Sequence, residues 1–282
     1  MRPSSFVLAL IANLIFWRLA LTQENQLKCG VPPLNPSFSR LDIIMPEHRL
    51  VGGVETTPHA WPWTGQLLAV DRHQCGLALI EPDIVLTAAH CFAKSRNPAR
   101  YKVLLGGHTI YSGMMFKVEN ISIHNLYQVL ASAYDVALLK ISPAVQYNET
   151  MAPVCLPSSP PPVNRMCVVT GWGRLKENGE RSNSLREIHV PIIPSSTCNN
   201  FRHYAGRVHT HSMVCAGYNN GRVDSCQGTQ VVHSNAKTML GLLVGATDVL
   251  SQPIQVSTVK FLRCCPGSEV KSSIAEELKF KT

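Results

Sequence analysis

Residues 84–91 read Ile84-Val85-Leu86-Thr87-Ala88-Ala89-His90-Cys91, an apolar run that ends in small residues, a histidine and a cysteine. Branched aliphatic residues favour a β-strand, so the run predicts a buried strand followed by a loop. Cys91 is placed to clamp the loop that holds His90. A histidine in this position is ambiguous when read alone, because structural histidines are common.

A second stretch, Tyr134-Asp135-Val136-Ala137-Leu138-Leu139-Lys140, places a carboxylate at the start of a nearly continuous apolar strand. Burying a carboxylate is costly unless a hydrogen-bond donor compensates it. A histidine ring that donates to this carboxylate is held in one tautomer and stabilised when protonated, as a general base requires. His90 and Asp135 are therefore candidate partners, and a structural histidine with a strand-cap carboxylate is the alternative.

Composition limits the classes of protein to which the chain can belong. Its 282 residues allow one large all-β domain or two small ones. With 45% hydrophobic and 16% charged residues and a mean hydropathy of +0.04, it is neither wholly disordered nor a multi-span membrane protein. The net charge of +8 is compatible with nucleic acid or anionic surfaces, but no run of Lys and Arg exceeds two. We interpret this as a solvated basic surface.

Short aliphatic runs recur between clusters of Gly, Pro and Asn, a pattern typical of a β-sandwich or barrel. Besides the stretches above, they include Tyr101–Leu105 and Cys167–Thr170. The ten cysteines contain no CxxC pair, which favours disulfides in an oxidising compartment over a zinc module. We therefore expect no bound metal ion and no nucleic-acid partner.

The N-terminus agrees with that compartment. Residues 1–22 are predicted to be a signal peptide, because Arg2 precedes the apolar stretch 6–17 and small residues follow it. The stretch is too short to cross a bilayer comfortably, so we expect no membrane span once the signal is removed. Asn13 and Arg18 weaken the match, and an uncleaved anchor is the alternative.

Residues 23–49 have no helical periodicity and are rich in proline, which predicts an extended pro-segment that contains Cys29. Two sequons, Asn120-Ile121-Ser122 and Asn148-Glu149-Thr150, are predicted glycosylation sites consistent with a secreted, extracellular protein.

Six segments in consistent order resemble the trypsin-like serine proteases of the chymotrypsin fold. They are the two stretches quoted first together with Arg49-Leu50-Val51-Gly52-Gly53, Trp61-Pro62-Trp63, Gly171-Trp172-Gly173 and Asp224-Ser225-Cys226-Gln227-Gly228. The resemblance implies an all-β fold of two Greek-key six-stranded barrels and a protease domain over residues 50–228. The family usually has a second Gly followed by Ser where this chain has Leu77 and Ala78.

By this resemblance His90 is the general base, Asp135 its orienting carboxylate, and Arg49 the cleavage site that frees Leu50 as a new N-terminus. The resemblance also implies that Asp224 lies at the floor of the specificity pocket, and therefore that cleavage follows Arg or Lys. The implied partners are protein or peptide substrates with Arg or Lys, an activating trypsin-like protease, and protease inhibitors. No cofactor is implied.

The chain departs from the family after Gly228. The family continues with Asp-Ser-Gly-Gly-Pro, which supplies the nucleophile, the oxyanion-hole amides and the acid that pairs with the new N-terminus. This chain reads Thr229-Gln230-Val231-Val232. Thr229 falls where the family has the acid, and no glycine pair follows it to present amides. The chain as written is therefore predicted to be inactive.

A one-base slip in the reading frame accounts for this departure. Joining the last base of one codon to the first two of the next allows Asp at the Gly228/Thr229 junction, and Ser at the following one if the threonine codon is ACT. The same rule then permits Gly-Gly-Pro-Leu and later Gly-Trp-Gly and Pro-Gly-Val-Tyr. About twenty successive matches in register are not chance. Residues 229–282 are thus predicted to be an aberrant tail that leaves the second barrel incomplete.

The cysteines test this prediction independently. The resemblance pairs Cys75 with Cys91, Cys29 with Cys155, and Cys198 with Cys215, all before the break. It pairs Cys167 and Cys226 with two cysteines after Gly228, and the shifted frame supplies both. The chain as written has Cys264 and Cys265 there instead, which have no counterpart in the family. Two hypotheses follow: a secreted trypsin-like endopeptidase zymogen whose serine is lost from the chain as written, or a secreted pseudoprotease that acts as a binding module.

Overall fold

The computed structural model describes residues 29–34, 53–128, 133–156, 161–173, 180–201 and 205–216, and the backbone of 241–245 and 255–259. Within these ranges nearly all regular structure is β. The strands are β1 Val54–Glu55, β2 Thr64–Ala69, β3 Arg72–Glu81, β4 Ile84–Thr87, β5 Tyr101–Leu105, β6 Met114–Ile123, β7 Ala137–Ser142, β8 Met166–Gly171, β9 Arg186–Ile193, β10 Cys215–Ala216, β11 Gly241–Gly245 and β12 Gln255–Val259. The described helices are the 3₁₀ helices Ala89–Phe92 and Pro98–Arg100 and the single turn α1, Ser195–Cys198.

Strands β2 to β7 form a closed barrel in the order β2-β3-β4-β7-β6-β5, with every neighbour antiparallel. Closure pairs the backbone of every strand and leaves no exposed edge. Large apolar side chains fill the interior, among them Leu67, Leu79, Leu86, Phe116, Leu139 and Ile141. This barrel is complete before residue 143 and is built without any residue that follows Gly228.

The remaining strands form a second sheet in the order β1-β9-β8-β11-β12, with β10 paired to the end of β9. A smaller apolar cluster covers it, which includes Val169, Ile188, Ile192 and Met213. The described strands of this sheet do not close into a barrel. The all-β, chymotrypsin-like fold predicted from the sequence is confirmed. The predicted signal peptide and all of the pro-segment except residues 29–34 lie outside the described residues.

Polar side chains join the barrel to the second sheet. The Trp61 indole donates to the buried Glu187 carboxylate at 2.8 Å, and the Thr64 and Thr170 hydroxyls are 3.1 Å apart. Trp172 donates its indole N–H to the His108 carbonyl at 3.0 Å and packs edge-on against His73. Because buried polar groups are costly to leave unpaired, these bonds fix the two halves in one orientation.

His73 makes this interface sensitive to pH. Burial, with a smaller effect of the Arg181 charge, lowers the pKa of His73 from 6.5 to about 4. The unfolded chain therefore binds more protons than the folded chain between these values, and stability is lost as pH falls from 6.5 toward 4. We expect His73 alone to lower the free energy of unfolding by about 2 kcal/mol between pH 7 and pH 5.

Urea unfolding of the wild type and His73→Gln at both pH values measures this difference. The His73→Gln variant should show the smaller loss, and His211→Gln, which removes an exposed histidine, should match the wild type. An equal loss in all three proteins would contradict the prediction.

Disulfides join the described cysteines in three pairs, Cys29–Cys155, Cys75–Cys91 and Cys198–Cys215. Among the described cysteines, Cys167 alone has a free thiol. Burial raises the pKa of this thiol to about 12. Among the residues that the structure describes, no helix has the length and apolar character that a membrane crossing needs.

Candidate active site

The loop that carries His90 is fixed from three sides. It follows β4 as the 3₁₀ helix Ala89–Phe92, and the Cys75–Cys91 disulfide ties it to β3. Gln74 donates its side-chain amide to the Cys91 carbonyl at 2.6 Å. Thr87 donates its hydroxyl to the Gly76 carbonyl at 2.9 Å, beneath the loop. These contacts hold the backbone at His90 in one place before any partner binds.

Asp135 sits between an unusual backbone turn and β7. Tyr134 has a left-handed φ of 53°, which is uncommon for a residue other than glycine. Its ring stacks on His124 at 4.9 Å with an angle of 9° between planes. The His124 ring accepts the Leu126 N–H through Nδ1 at 2.9 Å, and its backbone N–H donates to the Val136 carbonyl. His124, the residue after β6, thus contacts both sequence neighbours of Asp135.

His90 and Asp135 meet through two short contacts. The imidazole Nδ1 lies 2.6 Å from Asp135 Oδ2, and the His90 backbone N–H donates to Oδ1, also at 2.6 Å. Both side chains are nearly enclosed, with 12% and 4% of their surfaces exposed. Since a carboxylate can only accept, Nδ1 carries the proton and the neutral ring keeps an acceptor at Nε2. The arrangement can take a proton at Nε2 and stabilise the resulting imidazolium.

A metal is a poor fit to these residues. The potential ligand atoms of Cys75, His90 and Cys91 lie within 4.8 Å of one another. The two sulfurs are bonded to each other, so they offer no thiolate to an ion. Proton transfer is the chemistry that the histidine and carboxylate support.

Several predicted site residues lie outside the described residues. They are Arg49, Leu50, Asp224, Cys226 and the segment 229–232. The first described residue after the predicted cleavage site is Gly53, whose carbonyl accepts from the Arg186 guanidinium at 2.6 Å. Sequence reasoning missed the roles of Tyr134 and His124, although the polar His124 after Ile121-Ser122-Ile123 was a usable signal.

Comparison of the sequence with known proteins assigns the chain to a family. The sequence model of the trypsin family, described as "Trypsin", matches residues 50–229, well over half of the chain. The chain belongs to the trypsin family. It is also 39% identical over 197 residues to the mouse (Mus musculus) protein named "Transmembrane protease serine 11C". That alignment covers 69% of the trypsin-family chain described here and 46% of the relative, so the chain spans less than half the length of that protein.

Proposed function

We propose that the gene encodes a secreted trypsin-like serine endopeptidase, made as a zymogen, that cleaves proteins after Arg or Lys by acyl transfer. The observation that carries this proposal is the 2.6 Å contact between His90 Nδ1 and the buried Asp135 in a trypsin-family chain. A serine hydroxyl that loses its proton to Nε2 attacks the scissile carbonyl and forms an acyl-enzyme. Water then releases the acyl group by the same proton path, with His90 first returning the proton to the leaving amine.

The chain as written lacks the segment that supplies this serine. We propose a signal peptide over residues 1–22, a pro-segment over 23–49, a protease domain over 50–228 and a frame-shifted tail over 229–282. Two observations support a break at Gly228. The family match ends at residue 229, and Cys167, whose implied partner lies beyond the break, has a free thiol.

Specificity and activation form the finer part of the proposal. Asp224 supplies the carboxylate that selects Arg or Lys, and cleavage after Arg49 creates the new N-terminus at Leu50. The contact from Arg186 to the Gly53 carbonyl and the pairing of β1 with β9 support this role for the segment. They anchor the chain just after the cleavage site, so only the first few residues need to move on activation.

Entry into the secretory pathway is supported by the disulfides, which persist in oxidising compartments. Asn120 and Asn148 are both exposed, as glycosylation requires. The relative is named a transmembrane protease. An uncleaved membrane anchor over residues 6–17 is therefore the alternative to a cleaved signal peptide.

A pseudoprotease is the second candidate function. The closed barrel and the paired His90 and Asp135 form without any residue after Gly228. A chain with the aberrant tail therefore keeps a folded half that binds partners without cleaving them. The activating protease, substrates and inhibitors implied by the family are partners of the intact enzyme.

Peptide mass spectrometry of the natural protein separates these two candidates. Trypsin releases the segment Val223–Lys237 from the chain as written, because Arg222 precedes it and Lys237 ends it. The shifted frame instead gives a peptide that begins Val223-Asp224-Ser225-Cys226-Gln227-Gly228 and continues Asp-Ser-Gly-Gly-Pro. We expect the shifted peptide. Finding only the peptide that contains Thr229-Gln230-Val231-Val232 would establish the variant and overturn the enzyme proposal.

A further inference from the structure

The turn before Asp135 holds a bulky side chain in a backbone conformation that such residues rarely adopt. Tyr134 has a left-handed φ of 53°, which is an outlier for a residue of this size. Its carbonyl accepts the Val136 N–H at 2.8 Å, and this bond closes a three-residue turn around Asp135. The turn therefore sets the direction in which the Asp135 carboxylate leaves the backbone. A strained conformation of this kind persists only where the surrounding structure imposes it.

Two histidine rings contact the ring of Tyr134, and we call His124, Tyr134 and His209 together the ring clamp. The His124 ring lies nearly parallel to the Tyr134 ring, with 4.9 Å between centroids and 9° between planes. The His209 ring lies 5.1 Å from the Tyr134 ring at an angle of 59°. Both separations are typical of favourable ring pairs. His124 follows β6 of the closed barrel and His209 precedes β10, so the clamp joins the two halves of the molecule beside Asp135.

Neighbouring side chains fix His209 in the second half of the molecule. Its Nδ1 lies 2.8 Å from the Ser212 hydroxyl oxygen. Its backbone N–H donates to the sulfur of Met213 at 3.1 Å, and Met213 is buried in the apolar cluster of the second sheet. Asn199 accepts the Val208 N–H at 3.0 Å and donates to the Val208 carbonyl at 3.1 Å. The second half therefore presents the His209 ring from a constrained backbone.

We propose that Tyr134 is a positioning residue for His90 and Asp135, because the ring clamp maintains the turn that aims the Asp135 carboxylate at His90. This inference rests on the serine-protease function proposed above. The carboxylate must meet both the His90 backbone N–H and Nδ1, each at 2.6 Å. A misplacement of about 1 Å in a catalytic site costs roughly a hundredfold in rate. The alternative is that the three rings only fill space between the halves, in which case their loss changes stability and leaves catalysis unchanged.

Kinetics of the enzyme expressed with the frame corrected by one base after the Gly228 codon test the tyrosine. Tyr134→Ala should lower kcat by roughly a hundredfold and change KM by less than about threefold, because it misaligns the proton acceptor and leaves substrate contacts in place. Tyr134→Phe keeps the ring and its contacts and should hold kcat within about threefold of the parent.

Tyr111→Ala is the matched control for Tyr134→Ala. Tyr111 also has a left-handed φ, of 64°, but its side chain is exposed on the turn before β6. Its loss should leave kcat within about twofold of the parent, since it is outside the clamp. Equal losses of kcat in Tyr134→Ala and Tyr111→Ala, or no loss in Tyr134→Ala, would overturn the proposal.

A pair of histidine variants keeps the test valid if Tyr134→Ala fails to fold. His209→Ala removes the contact from the second half and should lower kcat roughly fivefold to tenfold, because the pairing of Tyr134 with His124 remains. His211→Ala is the matched control. His211 is exposed and contacts the His209 ring at 5.8 Å from outside the clamp, so its loss should change kcat by less than about twofold. Equal kcat values in the two variants would overturn the proposal.

The tautomer of His90 gives a readout that needs no serine, so it is measured in the full 282-residue chain as written. The bond to Asp135 fixes the ring proton on Nδ1, and ¹⁵N NMR of the imidazole distinguishes this tautomer from the one protonated at Nε2. At a pH high enough to keep the ring neutral, the Nδ1–H form should dominate in the parent and in Tyr134→Phe. It should give way to a mixture of tautomers in Tyr134→Ala.

The NMR result separates a failure of this inference from a failure of the proposed function. An unchanged Nδ1–H form in Tyr134→Ala would overturn the positioning role even if the frame-corrected enzyme is active. An inactive frame-corrected enzyme together with the expected mixture of tautomers would contradict the proposed protease and support the positioning role.

Discussion

The full chain as written is expected to hydrolyse an arginyl ester no faster than buffer and to remain unlabelled by a fluorophosphonate that reacts with active-site serines. The reason is the sequence after Gly228, where Thr229-Gln230-Val231-Val232 offers neither the serine nor the glycine amides of an oxyanion hole. Loss of the nucleophile costs proteases of this mechanism roughly a millionfold in kcat. We therefore expect His90 and Asp135 to lack the hydroxyl that the family places beside them.

The comparison protein is expressed from the same gene with the frame corrected by one base after the Gly228 codon. Once cleaved after Arg49, it should hydrolyse the ester and accept the label. Its matched control changes only the serine of the restored Asp-Ser-Gly to alanine and should return to the background rate. Robust labelling of the uncorrected chain would show that another residue acts as the nucleophile and would refute the interpretation.

Asp135→Asn in the frame-corrected enzyme should lower kcat by roughly ten thousandfold. The asparagine oxygen can still accept the His90 backbone N–H, so the loop should keep its position. The side-chain amide, however, would donate to Nδ1 and place the ring proton on Nε2, where the serine needs an acceptor. The loss should therefore fall on kcat and leave the fold intact.

Asp83→Asn is the matched control for this substitution. It removes the same charge from the same barrel at a surface position, 4.0 Å from Lys140. Its kcat should stay within about twofold of the parent enzyme, since an exposed ion pair contributes little. If Asp135→Asn retained activity within tenfold of the parent, the carboxylate would not be the group that orients His90.

Local sequence was sufficient to predict the strands whose side chains are mostly apolar. The run Tyr101–Leu105 is β5 as predicted, and Cys167–Thr170 lies within β8. β6 was not predicted, because exposed Met114 and Met115 and a register shift between Val118 and Asn120 obscure its alternation. Each of these two features interrupts the alternation of apolar and polar residues from which a strand is predicted.

Contacts between distant residues account for most of what the sequence could not predict. Trp61 and Glu187 are 126 positions apart, and nothing local to either residue indicates the other. The opposed lysines of β5 and β6 are a similar case. Lys102 and Lys117 are separated by a hairpin and read as isolated surface charges until β5 pairs with β6. His90 and Asp135 were predicted because a carboxylate in an apolar strand requires a donor wherever that donor lies in sequence.

The Cys29–Cys155 bond would keep the two parts of the proposed zymogen together after activation. It joins a residue before the predicted cleavage site at Arg49 to one in the segment that follows the closed barrel. Cutting the backbone between them yields two polypeptides that stay covalently linked. Any segment upstream of Cys29 that remains on the chain, an anchor included, therefore stays covalently attached to the protease. The location of the protein would then be the same before and after activation.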